Sequence, residues 1–235
     1  MSALASRIEL AGRVIDYELR RSARRRSIGL LVDERGLRVA APPSAPLGDV
    51  ERMLRDHAPW VLRKLEQWQS RRRPALLGQA GERICCRGQW LVLALDRAAD
   101  APQRVGDCLL VGPPALQPEA VLRRVNAWLR REALALFRER CARFSERLGL
   151  PRPRVLLSSA RTRWGSCHPD GHIRMSWRLI QLPLPLIDYV AAHEVAHLRE
   201  MNHSPAFWRV VDSLVGDHRP LRAALRSDSG AYLVL

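Results

Sequence analysis

His193-Glu194-Val195-Ala196-His197, followed by His203, is the stretch on which the reading of this 235-residue chain turns. On a helix, residues advance by about 100° each, so His193 and His197 lie roughly 40° apart on one face, one turn above the other. Glu194 stands about 60° from His197 on the adjoining face. Two imidazoles at this spacing can share one metal ion, and the carboxylate beside them can reach a water at that ion without binding the metal itself.

The flanks place the motif on a helix. Leu186, Ile187, Val190, Ala191 and Leu198 continue an apolar stripe, which predicts an amphipathic helix with one face in a core. Pro183 and Pro185 mark its start. His203 on an unbroken helix would point away from the pair, so the chain has to turn before it. Asn202 is the candidate left-handed cap, and Ser204-Pro205 has the form of an N-cap and first position of a new helix carrying Phe207, Val210, Val211 and Leu214. His203 then falls in the corner between two helices, where it can complete a three-histidine zinc site with one open position. The spacing equals that of the metzincin proteases, but Glu200 stands where they carry a turn glycine, so the corner must be built differently.

Further segments join this one in a family pattern. Arg161-Thr-Arg-Trp-Gly-Ser-Cys167, Gly171-His-Ile-Arg-Met-Ser-Trp-Arg178, Ile187-Asp-Tyr-Val190 and Asn202-His-Ser-Pro-Ala-Phe-Trp208, with the histidine motif, resemble the YgjP-like metallopeptidases. These are small bacterial metal-dependent hydrolases related to the SprT-like zinc proteases. The resemblance runs from about Ser22 to Val215 and is densest from Arg161 to Trp208. It implies a zinc site at His193, His197 and His203, with Glu194 as catalytic base. Peptide-bond hydrolysis is the activity usually attached to the family, and nucleotide pyrophosphohydrolysis has also been attributed to a member.

Composition fits an enzyme that works in the cytoplasm. No apolar run approaches the roughly 18 residues of a membrane span, and the N-terminus lacks the apolar region of a signal peptide. Five cysteines without a regular pairing pattern predict reduced thiols. Cys85, Cys86, Cys108 and Cys141 are expected in strands or the core, and Cys167 as a buried structural thiol. The net charge is +15 and Lys64 is the only lysine, so the cationic surface is almost all arginine. Such a field favours acidic partners. Arg20-Arg21 with Arg24-Arg25-Arg26, and Arg71-Arg72-Arg73, are read first as solvated surface and linker, and second as weak phosphate or nucleic-acid contacts.

The expected fold is α+β in two regions. Residues 1–115 form a strand-rich half with one amphipathic helix: strands at Arg13–Leu19, Ser27–Val32, Leu37–Ala40, Trp90–Ala94 and Cys108–Val111, and a helix marked by Val50, Met53, Leu54, Val61, Leu65 and Trp68. A basic connector spans Arg71 to Gly81. Residues 116–235 form a zincin-like core of a long helix from Pro118 to Gly149, a short antiparallel sheet from Arg154–Leu157 and His172–Ser176, the motif helix and a closing helix. Tyr232–Leu235 is expected as a packed tail, and no internal repeat is evident.

Three neutral imidazoles leave a zinc ion its full charge, which lowers the pKa of a bound water, and Glu194 can take that proton and return it to the leaving group. Asp188, Glu200 or backbone carbonyls are candidates to orient the histidines. Tyr189, His172, Arg163 and Arg174 are candidates to stabilise the oxyanion, with Arg163 preferred. His168 and His172 are otherwise read as turn and strand residues, and Trp164, Trp177 and Trp208 as core. A zinc metallopeptidase acting on a peptide or protein leads. A metal-dependent nucleotide pyrophosphohydrolase is the alternative, and a nucleic-acid-associated protease or binding module comes third. An extended substrate beside the strand from Ile173 to Trp177 would favour a peptide. Arg163 and Arg174 converging on the metal would instead favour phosphate.

Overall fold

A pair of left-handed residues ending in glycine starts each of two sheets. Ala11 and Gly12 have φ of 49° and 78°, and Arg87 and Gly88 have φ of 54° and 76°. Positive φ at both central residues gives a hairpin turn whose twist matches its strands. The computed structural model describes residues 3–33, 36–71, 76–112, 117–160 and 163–227, and for residues 3, 4 and 67–71 only the backbone. It divides into two compact units, Met1–Arg73 and Pro74–Leu235.

In the first unit, β1 (Ala3–Leu10), β2 (Arg13–Arg21), β3 (Gly29–Asp33) and β4 (Gly36–Ala41) form a sheet of order β1-β2-β4-β3. The outer pairs are antiparallel and β2 runs parallel to β4. The single helix expected over Val50–Trp68 is two, α1 (Leu47–Asp56) and α2 (Ala58–Arg71). Pro59 has no N–H to donate to the preceding turn, and His57 leaves helical geometry at φ −104° and ψ 13°.

The second unit begins with β5 (Arg83–Cys86), β6 (Gln89–Leu95), β7 (Gln103–Val105) and β8 (Cys108–Val111), in the order β5-β6-β8-β7 with β6 parallel to β8. This is the connectivity of the first sheet again, and each sheet is followed by a helix. Corresponding positions are buried in both copies: Ile8 and Ile84, Leu10 and Cys86, Tyr17 and Leu93, Leu37 and Leu109, Val39 and Val111. Val50 and Leu54 of α1 match Val121 and Val125 of α3 (Pro118–Arg147). An internal repeat is therefore present where none was evident in the sequence.

The division at Arg73 also differs from the expected one at residue 115. Ile84, Leu91, Leu93, Leu109 and Val111 share one hydrophobic core with α3 and the motif helix, so this sheet cannot be grouped with the first. The boundary falls inside the basic connector, of which residues 72–75 lie outside the described ones, as does the Tyr232–Leu235 tail.

After α3 come β9 (Val155–Ser158), β10 (Gly165–Cys167) and β11 (Ile173–Ser176), in the order β10-β11-β9. The expected antiparallel sheet is mixed, because β9 runs parallel to β11. A 3-10 helix (Trp177–Gln181), α4 (Leu184–Ala196), α5 (Pro205–Val215) and α6 (His218–Ser227) complete the chain. No described helix is long and apolar enough to cross a membrane.

The turn of the second hairpin fixes the start of α4. The Arg87 and Gly88 amides donate to the carbonyls of Ile180 and Gln181, at 2.6 and 3.2 Å. A Cβ on Gly88 would lie 2.9 Å from the Pro183 Cα, at the residue that precedes α4. Gly88→Ala combines that clash with a positive φ of 76° and is expected to destabilise the protein by about 1–3 kcal/mol, read as a lower urea midpoint. An unchanged midpoint would mean that this turn does not position α4.

Candidate metal centre

Helix α4 is buried on nearly all sides, not on one face as its pattern predicted. Leu186, Ile187, Tyr189, Val190, Ala191, Ala192, Glu194, Val195 and Ala196 are all buried. A helix apolar all round belongs inside a core, and this one packs against α3, α5, α6, β10 and β11.

His197 closes the helix with right-handed angles, φ −64° and ψ −21°. Its Nδ1 lies 3.1 Å from the carbonyl oxygen of Glu200, which turns Nε2 towards the other histidines. Asn202 is not left-handed. Its Oδ1 accepts from the Ser204 amide at 3.0 Å, and the Ser204 hydroxyl in turn accepts from the Phe207 amide at 3.3 Å as N-cap of α5. His203 is held between these two devices.

The result is a cluster. His193, His197 and His203 each offer a ring nitrogen within 4.8 Å of the others, and the Nε2 atoms of His193 and His203 are 3.2 Å apart. Two nitrogens bound to one tetrahedral zinc at 2.0–2.1 Å would be separated by about 3.3 Å, so the histidines fit that ion. Phe207, fully buried, lies against all three rings, with centroid distances of 4.9, 4.5 and 4.8 Å to His193, His197 and His203. Burial, followed by the neighbouring histidines, pushes His193 down to about 3, and burial also lowers His197. The neutral form that binds metal is thus favoured.

Glu194 is 5% exposed, and burial alone pushes its carboxyl up to about 8. Strand β10 covers it: a Cβ on Gly165 would sit 2.4 Å from Glu194 Oε1, so no other residue fits there without displacing the carboxylate. A cavity of about 220 Å³ opens over the site, lined by Trp164, Gly165, Tyr189, Val190, His193, Glu194 and Leu225.

Other candidates fall elsewhere. Asp188 pairs with Arg140 at 3.3 Å and not with a histidine. Arg163 is exposed and does not line the cavity, although its neighbour Trp164 does. Arg174 pairs in register with Ser166, on the opposite face of the sheet from Met175 and Gly165. Trp177 is core as expected, whereas Trp164 and Trp208 are partly exposed. All five cysteines are free thiols, and Cys167 is only half-buried. Arg20 pairs with Glu18, and Arg21 donates to the carbonyls of Pro42, Pro43 and Ala45, so part of the first arginine cluster is structural. Arg72 and Arg73 lie outside the described residues.

Helix α6 contributes what the sequence pattern did not reveal. Leu225 lines the cavity, and Arg222 lies over the Trp208 ring at 5.1 Å. Trp208 stacks on His218 at 4.2 Å. Arg222 and Arg226 counter the effect of burial on Tyr189, a buried phenol whose pKa is raised. The signal for this helix was brief: Gly216 as a break, Pro220 in the first turn, and Leu221 four residues before Leu225.

A family model described as YgjP-like, metallopeptidase domain, matches residues 26–228. No curated protein and no solved structure matches the chain.

Burial of the two titrating groups acts on stability in opposite directions. Glu194 has a folded pKa above its ordinary value of 4.5, so its contribution is complete below that value and is lost as pH rises through about 8. His193, lowered to about 3, contributes above its ordinary value of 6.5 and loses that contribution as pH falls towards 3. With chelator present, Glu194→Gln should melt with the parent near pH 5 and progressively above it towards pH 9. A difference between the two proteins that does not vary with pH would mean that the carboxylate is hydrated.

Proposed function

We propose that this chain, which belongs to the YgjP-like metallopeptidase family, is a zinc-dependent peptidase with His193, His197 and His203 as metal ligands and Glu194 as general base. Family membership makes it a metal-dependent hydrolase. The observation that carries the finer reading is the convergence of three imidazole nitrogens beside a buried carboxylate from the same helix. A zinc ion held there would supply an activated water and polarise the scissile carbonyl.

Glu194 accepts the proton of the attacking water. Held beside the three histidines, Glu194 would pass that proton on to the leaving amine. Tyr189 lines the cavity as a neutral phenol and is assigned the hydrogen bond to the developing oxyanion. Arg163, exposed beside Trp164, is the second candidate for that charge.

The peptide reading draws on the sheet. Strand β11 has a neighbour on each side, so a peptide cannot be added along it. Strand β10 is one of the two edges of this sheet, and its Gly165 lies against Glu194. An extended peptide added along β10 would bring its carbonyl to the cavity through backbone hydrogen bonds. A phosphate-bearing substrate is the second reading. It rests on Arg222 and Arg226, which bring positive charge to the Tyr189 side of the cavity.

Elemental analysis of the purified protein should find zinc, and His203→Ala should lose it. Glu194→Gln should keep the metal and lose at least about a hundredfold in turnover, the scale of a general base. Retained turnover would remove Glu194 from that role. Parallel assays on an unstructured peptide mixture and on nucleoside triphosphates separate the substrates. Hydrolysis of triphosphates alone, abolished by Arg222→Ala, would replace the peptidase reading with the phosphate one.

A further inference from the structure

The turn joining β10 to β11 holds a second set of metal-binding side chains outside the α4 cluster. His168 and His172 close this hairpin: the His168 amide donates to the His172 carbonyl at 2.9 Å, and the Gly171 amide to the His168 carbonyl at 2.9 Å. The three residues between them suit the turn. Pro169 stands at its first corner, and Gly171, at φ +87°, takes the left-handed position that returns the chain to β11. A closing pair projects its side chains to one face, and the two imidazoles stack at 4.6 Å with 14° between their planes.

Asp170, at the tip, folds back between them. Its Oδ1 lies 3.0 Å from His168 Nδ1 and 2.5 Å from His172 Nδ1, and it also accepts the His172 amide at 3.1 Å. That is three partners for one carboxylate oxygen, which has about two lone-pair sites. His168 Nδ1 also accepts the Asp170 amide at 3.4 Å, and a cation shared by the two nitrogens and the carboxylate would replace these contacts once the rings turn out of their stack to aim their in-plane lone pairs at it. The three ligand atoms lie within 4.8 Å of one another. A cavity of about 460 Å³, lined in part by Asp170, Gly171 and His172, leaves room for waters to complete the coordination.

The geometry points to a second, accessory binding site for a divalent transition-metal ion at His168, Asp170 and His172. Two imidazoles and a carboxylate suit zinc, nickel or copper over calcium or magnesium. A comparable group, Asp212, Asp217 and His218, is already committed. There the Asp217 carboxylate binds Arg219 through two nitrogens, whereas no arginine engages Asp170 among the described residues. The hairpin site also bears on the metal centre. A Cβ on Gly171 would touch Leu198, the residue after His197, and β10 leads back to Gly165 over Glu194. An ion at the turn would clamp the two strands at the end that rests against α4.

Equilibrium dialysis of the full chain against Zn²⁺ alone, with elemental analysis, tests this independently of activity. The parent should bind two equivalents. His168→Ala and Asp170→Asn should each lose one, and His203→Ala should lose the other. Asp170→Asn keeps an acceptor for the His172 amide, so it reports on the site if His168→Ala perturbs the turn. Two equivalents retained in both hairpin variants, or a single equivalent in the parent that only His203→Ala removes, would overturn the proposal. A single equivalent lost in the hairpin variants and kept in His203→Ala would support the accessory site and count against the α4 centre.

Discussion

A carboxylate kept almost out of water is the constraint on which the rest of the second unit depends. Ionising a carboxyl group out of water costs several kcal/mol, and among the described residues no cationic side chain counters the burial that raises Glu194. What offsets it is the helix that carries it. Leu186, Ile187, Val190 and Val195 are buried around Glu194 on α4, and each large aliphatic side chain contributes about 1.5–3 kcal/mol on burial. The near-uniform apolarity of α4 follows from this. An amphipathic helix would have left Glu194 hydrated, with an ordinary pKa.

The same burial demands a roof as well as a floor. Gly165 supplies the roof, since any side chain there would meet the carboxylate. Phe207 supplies the floor, in contact with all three histidine rings. Between them His193 and Glu194 face the cavity. The corner after α4 is built from side-chain acceptors and a backbone carbonyl, with no glycine: Glu200 orients His197, Asn202 turns the chain, and Ser204 starts the next helix.

Local patterns were legible where spacing alone determines geometry. The His193–His197 pair, the Ser204-Pro205 helix start and the run from Pro118 to Gly149 each follow from residues a few positions apart, and the structure places them accordingly. The strand expected at Trp90–Ala94 extends by one residue at each end, and the one expected at Cys108–Val111 has those same bounds. What was not legible depends on residues distant in sequence. The parallel pairing of β9 with β11, the approach of Gly165 to Glu194 and the partner of Asp188 on α3 leave no periodic trace. Helix α6 escaped because it is short, with no fully buried residue to mark a stripe. The break at His57 was visible in Pro59, but the apolar spacing on either side of it masked the interruption.

The repeated sheet gives this molecule a built-in standard of comparison. Ile8 and Ile84, like Leu37 and Leu109, are the same residue and are buried in both copies. Tyr17 against Leu93 and Leu10 against Cys86 differ, and those differences report the separate cores into which the copies are packed. One copy leads into a helix that braces a reactive centre and the other does not. Within one chain, each copy thus shows which buried positions the shared connectivity fills alike and which differ with the core around them.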